Sequence, residues 1–206
     1  MGNSPSSNYV PPVRTPKDPN AQVATLGAGC FWGVEKSFRK KFGDKIQNVR
    51  VGYSGGSKDS PSYRQVCNGD TMHAEVVNFE YIESELPYET ILDFFFRSHD
   101  PTTKNRQGND SGTQYRSAIF YHSEEQKAIA EQVIKRVQPA FGNHNIATTL
   151  EPFRKFWDGE EYHQDYLAKN PHGYECATHF ERTWARVAAQ WGGVDISAQT
   201  GKGNEL

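Results

Sequence analysis

The chain lacks any strong excess of charge. Its 206 residues carry 23 basic and 25 acidic side chains, a formal net charge of −2, with no block of one sign. A nucleic-acid binder would show a basic excess, so no nucleic-acid partner is expected. No apolar run approaches the length a membrane-spanning helix needs. Only three cysteines occur, Cys30, Cys67 and Cys176. They are far apart and form no CxxC pair, which leaves a zinc cluster without support. Neither a bound metal nor a cofactor is expected. The odd count argues against a secreted disulfide framework. The N-terminal stretch has no apolar h-region, so a secretory signal is not expected. A reducing, cytoplasmic compartment is the expectation, where cysteine roles are catalytic or redox. Met1-Gly2-Asn3 with Ser6 formally matches a myristoylation signal. A single acyl chain anchors weakly, and the polar stretch behind it holds few basic residues, so no stable membrane association is expected.

What the chain does have is aromatic surface. With 12 Phe, 10 Tyr and 4 Trp, one real core can be built. Residues 1–20 hold five of the eleven prolines and read as a disordered arm. Residues 197–206 read as a flexible tail, which leaves 21–196 as a single domain, expected as a monomer. No internal repeat is visible. Within the domain, strand and helix patterns alternate. Val23 to Leu26 is a short apolar run ending at Gly27. Phe31, Val34 and Phe38 then have helical spacing. Ile46 to Tyr53 reads as a strand, Ser54 to Met72 as a long loop, and His73 to Ile82 as another strand. Pro87 opens a helix. The polar loop from Asp100 to Gln114 leads to a strand from Tyr115 to Tyr121. Ser123 and Gln126 form a capping-box signature for the next helix. Ile146 to Leu150 reads as a last strand, followed by a short helix near Glu160 to Leu167 and an irregular region carrying Cys176. Interleaved strands and helices favour an α/β or α+β two-layer domain. The two long loops exceed ordinary connections, and loops of that length are often functional.

Cys30 follows a strand and the pair Gly27/Gly29, and it precedes a helix. At a helix N-terminus, free N–H groups and the positive dipole end favour a thiolate. An inert, buried cysteine is the plain alternative. Glu75 is in phase with Val77, Phe79 and Tyr81 on a strand of period two. A carboxyl on an apolar face is desolvated, so its pKa rises and it can act as an acid. The plain alternative is a carboxylate paired with an Arg or with hydroxyls. Tyr63 and Tyr115 are either surface cover or phenolic donors into a cleft. Phe31 and Trp32, next to the nucleophile, are either core residues or an apolar cage for a small alkyl group. His73, His99, His163, His172 and His179 are each candidate bases for Cys30, although such histidines are more often structural. Cys176 lies in a Gly- and Pro-bearing segment that reads as mobile. Cys67 is expected to be a spectator.

Gly29-Cys30-Phe31-Trp32-Gly33 resembles the signature of the A-type peptide methionine sulfoxide reductases. Further segments agree in order: Val51-Gly52-Tyr53-Ser54-Gly55-Gly56, Pro61 to Cys67, His73-Ala74-Glu75-Val76-Val77, His99-Asp100-Pro101, Arg106 to Asp110, Gly112 to Ser117, and Tyr162-His163-Gln164. The likeness spans roughly residues 22 to 182. Enzymes of that family return oxidised methionine to methionine. The resemblance implies a ferredoxin-like α/β (α+β) two-layer sandwich, a mixed sheet with flanking helices, and reduction of the S epimer of methionine sulfoxide, free or in proteins. It implies Cys30 as nucleophile, Glu75 as acid, Tyr63 and Tyr115 on the sulfoxide oxygen, Phe31 and Trp32 around the methyl group, and Asp110 in support. It implies Cys176 as resolving cysteine and thioredoxin as reductant. Two departures stand out. Many members read Gly-Tyr-Cys where Glu175 intervenes here, with no later cysteine. Many also carry Gly where Met72 stands, a change that would narrow the entrance and offer a methionine to oxidation. Two rival readings are a cysteine hydrolase or acyltransferase, which needs a base paired with Cys30, and a non-enzymatic thiol redox sensor, which needs neither Glu75 nor the tyrosines.

Overall fold

The structure, a computed structural model, describes residues 18–200. The formal acylation signal at Gly2, most of the expected arm and the end of the expected tail lie outside the described residues. Residues 18–20 form a turn, with the Ala21 N–H donating to the Asp18 carbonyl.

The elements run β1 (Ala21–Ala28), α1 (Phe31–Phe42), β2 (Ile46–Ser54), α2 (Tyr63–Cys67), β3 (Ala74–Ile82), α3 (Tyr88–Ser98), β4 (Arg106–Gln107), β5 (Asp110–Ser111), β6 (Ser117–Tyr121), α4 (Glu124–Val137), β7 (Thr149–Pro152), β8 (Phe156–Asp158), α5 (Tyr166–Lys169) and α6 (Trp184–Trp191). Six strands form a mixed sheet in the order β7-β6-β1-β3-β2-β8. Its inner four, β6-β1-β3-β2, are antiparallel throughout. The β1-α1-β2 and β3-α3-β6 units each skip one strand, which is the ferredoxin-like split βαβ arrangement. β7 then adds parallel to β6, and β8 antiparallel to β2.

Period two sorts the sheet. Val77, Phe79 and Tyr81 of β3 join Ala24, Leu26 and Ala28 of β1 in the main core, with Val34 and Phe38 of α1, Leu92 and Phe95 of α3, and Val133 of α4. Ala74, Val76, Ala118 and Phe120 point to the other face and pack with Phe156. The helices therefore lie on one side of the sheet, and the sandwich has the two layers expected.

Several sequence readings need correction. The Ser54–Met72 loop contains α2, closed by a capping box between Ser62 and Gln65. The Asp100–Gln114 loop contains the β4–β5 hairpin, whose two-residue strands are too short to leave a periodic signal. Tyr115 does not begin a strand. It ends a 3₁₀ turn, and β6 starts at Ser117. The last strands are β7 and β8, both of which end later than the expected Ile146–Leu150 span. The helix near Glu160 to Leu167 divides into a 3₁₀ turn at Glu161–His163 and the short α5. At α4, Ser123 caps the Gln126 N–H, but the Gln126 carboxamide accepts from His122 and reaches the Val23 carbonyl and the Tyr81 hydroxyl instead of closing the box. The region after Cys176 is not irregular throughout, because α6 follows with Thr183 as N-cap.

Candidate active site

β1 stops at Gly29, whose φ of +96° turns the chain into α1. A side chain there would meet Gln107, so glycine serves both the turn and the close approach. Cys30 is the N-cap of α1 and is 7% exposed. Under this first turn lies Glu75 of β3, 1% exposed. The Phe31 N–H donates to Glu75 Oε2 at 3.1 Å. Cys30 and Glu75 thus adjoin across the helix N-terminus, on the same side of the sheet.

Burial dominates the electrostatics. It raises the Glu75 pKa to about 8, against the pull of the Phe31 N–H and with help from the charge on Asp110. A neutral carboxylic acid near pH 7 is what the strand pattern predicted. Cys30 differs from expectation. Burial pushes its thiol well up, the charge of Glu75 adds to this, and the N–H groups of Trp32 and Gly33 only partly oppose it. The resting sulfur is therefore a protonated thiol, because desolvation outweighs the helix terminus.

The remaining residues gather around this pair. Phe31 packs with Val51, Tyr53, Val66 and Trp157, and Trp32 and Tyr63 lie against that cluster. The Trp32 indole stacks on Tyr166 at 3.8 Å and donates to His163 Nδ1 at 3.1 Å. Tyr63 opens α2, and its ring lies 4.5 Å from that of His163. Burial and the charge on Glu75 hold the phenols of Tyr63 and Tyr115 above their ordinary pKa, so both are donors. Asp110 accepts from the Tyr174 hydroxyl at 2.9 Å through Oδ1, while its Oδ2 is buried without a partner. Tyr174 and Glu160 are site residues that sequence reasoning missed. The Tyr162-His163-Gln164 motif pointed towards the second of them.

Cys176 is 3% exposed and so is not presented on a loose surface segment. Its thiol donates to the Gln107 carbonyl at 3.6 Å and contacts Thr178 Oγ1 at 3.2 Å. Gln107 packs against Gly29 on one side and Cys176 on the other, so one residue links the two cysteine segments. All three cysteines are free thiols. Cys67 is exposed at the end of α2, beside Tyr63. Met72 takes φ +59° and is 54% exposed, and a left-handed backbone explains why glycine suits that position.

Four of the five candidate histidines are engaged elsewhere. His99 is tied to the Phe95 carbonyl and Ser117, and burial depresses its pKa to about 3. His73 holds Gly56 and the Lys58 carbonyl, His163 accepts from Trp32, and His179 donates to the Ala28 carbonyl. His172 is exposed on a turn. Among the described residues, no histidine hydrogen-bonds the Cys30 sulfur, and no cluster of three metal-ligating side chains occurs. No described helix is long and apolar enough to cross a membrane.

A family model described as peptide methionine sulfoxide reductase matches residues 22–193. The probable peptide methionine sulfoxide reductase of Schizosaccharomyces pombe is 49% identical over 164 residues, covering 78% of this chain and 96% of that protein. The reduced form of Mxr1 from Saccharomyces cerevisiae superposes with a TM-score of 0.77 at 48% identity, over 80% of this chain and 94% of that one. The same yeast protein in complex with Trx2 superposes with a TM-score of 0.58 at 32% identity, over 82% and 95%. The motifs read from the sequence, the sandwich that carries them and these relatives agree: the chain belongs to the peptide methionine sulfoxide reductase family and is an enzyme of that activity.

Proposed function

We propose that Cys30 attacks the sulfur of methionine S-sulfoxide while Glu75 supplies the proton its oxygen needs. The observation that carries this reading is the neutral, buried Glu75 held by the Phe31 N–H, the amide next to the nucleophile. A sulfoxide oxygen is a poor leaving group until protonated, and a buried carboxylic acid is suited to that task. Tyr63 and Tyr115 donate to the same oxygen as charge develops on it. Phe31 and Trp32 exclude water and receive the methyl group. Cys30 must lose its proton before attack. As Glu75 gives its proton to the sulfoxide oxygen, its carboxylate takes up the proton that Cys30 releases, so the pair never carries two negative charges in the buried cleft.

The atoms balance. The thiolate, the sulfoxide and one proton from Glu75 give methionine and a sulfenic acid on Cys30. The Cys176 thiol then displaces hydroxide from that sulfur, the hydroxide leaves as water with the thiol proton, and a Cys30–Cys176 disulfide forms. A dithiol reductant restores both thiols by exchange. Thioredoxin is the reductant we assign, supported by the yeast relative found with Trx2. Three free cysteines suit a reducing, cytoplasmic setting.

One experiment separates this from a hydrolase or a sensor. Reduced protein is mixed with one equivalent of methionine sulfoxide, and methionine and free thiols are counted. One methionine and the loss of two thiols are expected. Cys176→Ser should still release one methionine and leave Cys30 as a sulfenic acid that a dimedone probe captures. Loss of no thiols, or oxidation by peroxide alone, would overturn the reading.

A further inference from the structure

Glu160 takes no part in the chemistry above, yet both of its carboxylate oxygens are engaged inside the site. Oε1 accepts from the Tyr63 N–H at 2.8 Å. Oε2 accepts from the Tyr53 hydroxyl at 2.9 Å and lies 3.7 Å from His163 Nε2. The loop presenting it is clamped to β2. The Val51 N–H donates to Gln164 Oε1 at 2.9 Å, Gln164 Nε2 donates back to the carbonyls of Val51 and Gly159, and the Gly159 N–H donates to the Val51 carbonyl. Glu160 therefore stands on a rigid edge of the sheet.

The helix it holds is not rigid by itself. α2 has five residues and lies in the long connection between β2 and β3. Helices far longer than this are marginal without tertiary support. Its N-terminus is tied twice: by the Ser62–Gln65 box, which is internal to α2, and by Glu160, which is not. Tyr63 is both the first residue of this helix and the phenol placed in the cleft; its ring packs against His163 and its hydroxyl pairs with the Cys67 thiol at the other end of the same helix, so what fixes the helix fixes the phenol.

We propose that Glu160 is a positioning residue, whose carboxylate ties the Tyr63 backbone to Tyr53 on the sheet and thereby sets where the Tyr63 phenol meets the substrate oxygen. This rests on the reading that Tyr63 acts on the sulfoxide. Glu160 acts through Tyr63 and touches neither sulfur. Its neighbour His163 shares the arrangement, since it accepts from Trp32 and packs against Phe31 and Tyr63.

The test is a double-mutant cycle on the single-turnover release of methionine, with amide hydrogen exchange over residues 63–68 measured alongside. Glu160→Ala should slow release about tenfold or more in the otherwise native enzyme, and less than about twofold when Tyr63→Phe is already present, because coupled residues do not add. Glu160→Gln, whose amide oxygen still accepts from the Tyr63 N–H, should recover most of the rate. Protection of the α2 amides should fall in Glu160→Ala and return in Glu160→Gln. Equal slowing in both backgrounds would mark a general structural role and overturn the proposal, as would an unchanged rate with unchanged exchange. If Tyr63→Phe alone leaves the rate intact, the assignment of Tyr63 fails by itself. Exchange then decides the anchoring: lost protection supports it, and unchanged protection overturns it. Should Glu160→Ala fold poorly, Glu160→Asp draws the carboxylate back by one methylene and is read in the same two backgrounds.

Discussion

Glu75 Oε2 accepts a hydrogen bond from the backbone N–H of Phe31, the residue that directly follows Cys30, at 3.1 Å. One helical turn therefore serves two acids. Its amides draw down the thiol and the carboxyl together, and burial outweighs them at both. Near neutral pH both groups therefore keep their protons, and the buried cleft resists holding two negative charges.

Removing that proton donor should slow the reaction while leaving the site intact. Glu75→Gln keeps an oxygen for the Phe31 N–H but cannot protonate a leaving oxygen. A drop of about ten- to a thousandfold in single-turnover methionine release is expected, the range typical of a general acid. A native rate would remove Glu75 from its role.

The same carboxyl makes stability depend on pH. Its pKa is 4.5 in an ordinary setting and about 8 in the fold. Below the lower value it is protonated in both states and contributes no slope. Between the two, the unfolded chain releases a proton that the folded chain keeps, so the stability from this group falls as pH rises and levels off above about pH 8. Glu75→Gln lacks this loss. Unfolding free energies from denaturant titration should match near pH 4 and diverge by pH 9 in favour of the variant, by on the order of a few kcal/mol. Parallel curves across that range would refute the assignment.

Gly33→Ala tests the seat of the segment that carries Cys176. A methyl group there would stand 2.3 Å from His179 Nδ1, and that ring is buried and tied to the Ala28 carbonyl at 2.7 Å. Alanine ordinarily favours a helix over glycine by about 1 kcal/mol. Here displacement of the ring should outweigh that gain, giving a net loss of about 1–3 kcal/mol. Disulfide formation should slow as well, because His179 lies three residues from Cys176. Chemical denaturation and thiol counting check the two effects, and a stabilised variant would contradict the geometry.

Met72→Gly should act in the opposite direction. The backbone at Met72 is left-handed, and its side chain is more than half exposed. Relief of an L-residue's strain, worth about 1–2 kcal/mol, exceeds the extra entropy glycine loses. A gain of up to about 1 kcal/mol is expected by thermal unfolding. A clear loss would mean that the Met72 side chain packs in a way its exposure does not suggest.

Much of this site could be read from the sequence because its signals are local. The strand-Gly-Cys-helix junction announces Cys30, and a lone Glu in a period-two apolar row announces Glu75. α6 was equally open to reading, since Trp184, Val187, Ala188 and Trp191 recur at helical spacing behind Thr183. What stayed hidden depends on partners distant in the chain. Glu160 looks like one of two adjacent surface acids, and its partners Tyr53 and Tyr63 lie 107 and 97 residues away. The burial of Cys176 comes from Gln107 and the β4–β5 hairpin, which no periodicity marks. The protonated state of Cys30 depends on the depth of a cleft, and a motif does not encode depth.

The unequal exposure of the three sulfurs shapes how the resting protein meets small electrophiles. Cys30 and Cys176 are shielded, and Cys67 faces solvent. Iodoacetamide applied to the folded protein therefore labels Cys67 first, and early loss of one titratable thiol does not report on Cys30. Any labelling survey that ranks this chain's cysteines by speed of modification will place Cys30 below Cys67.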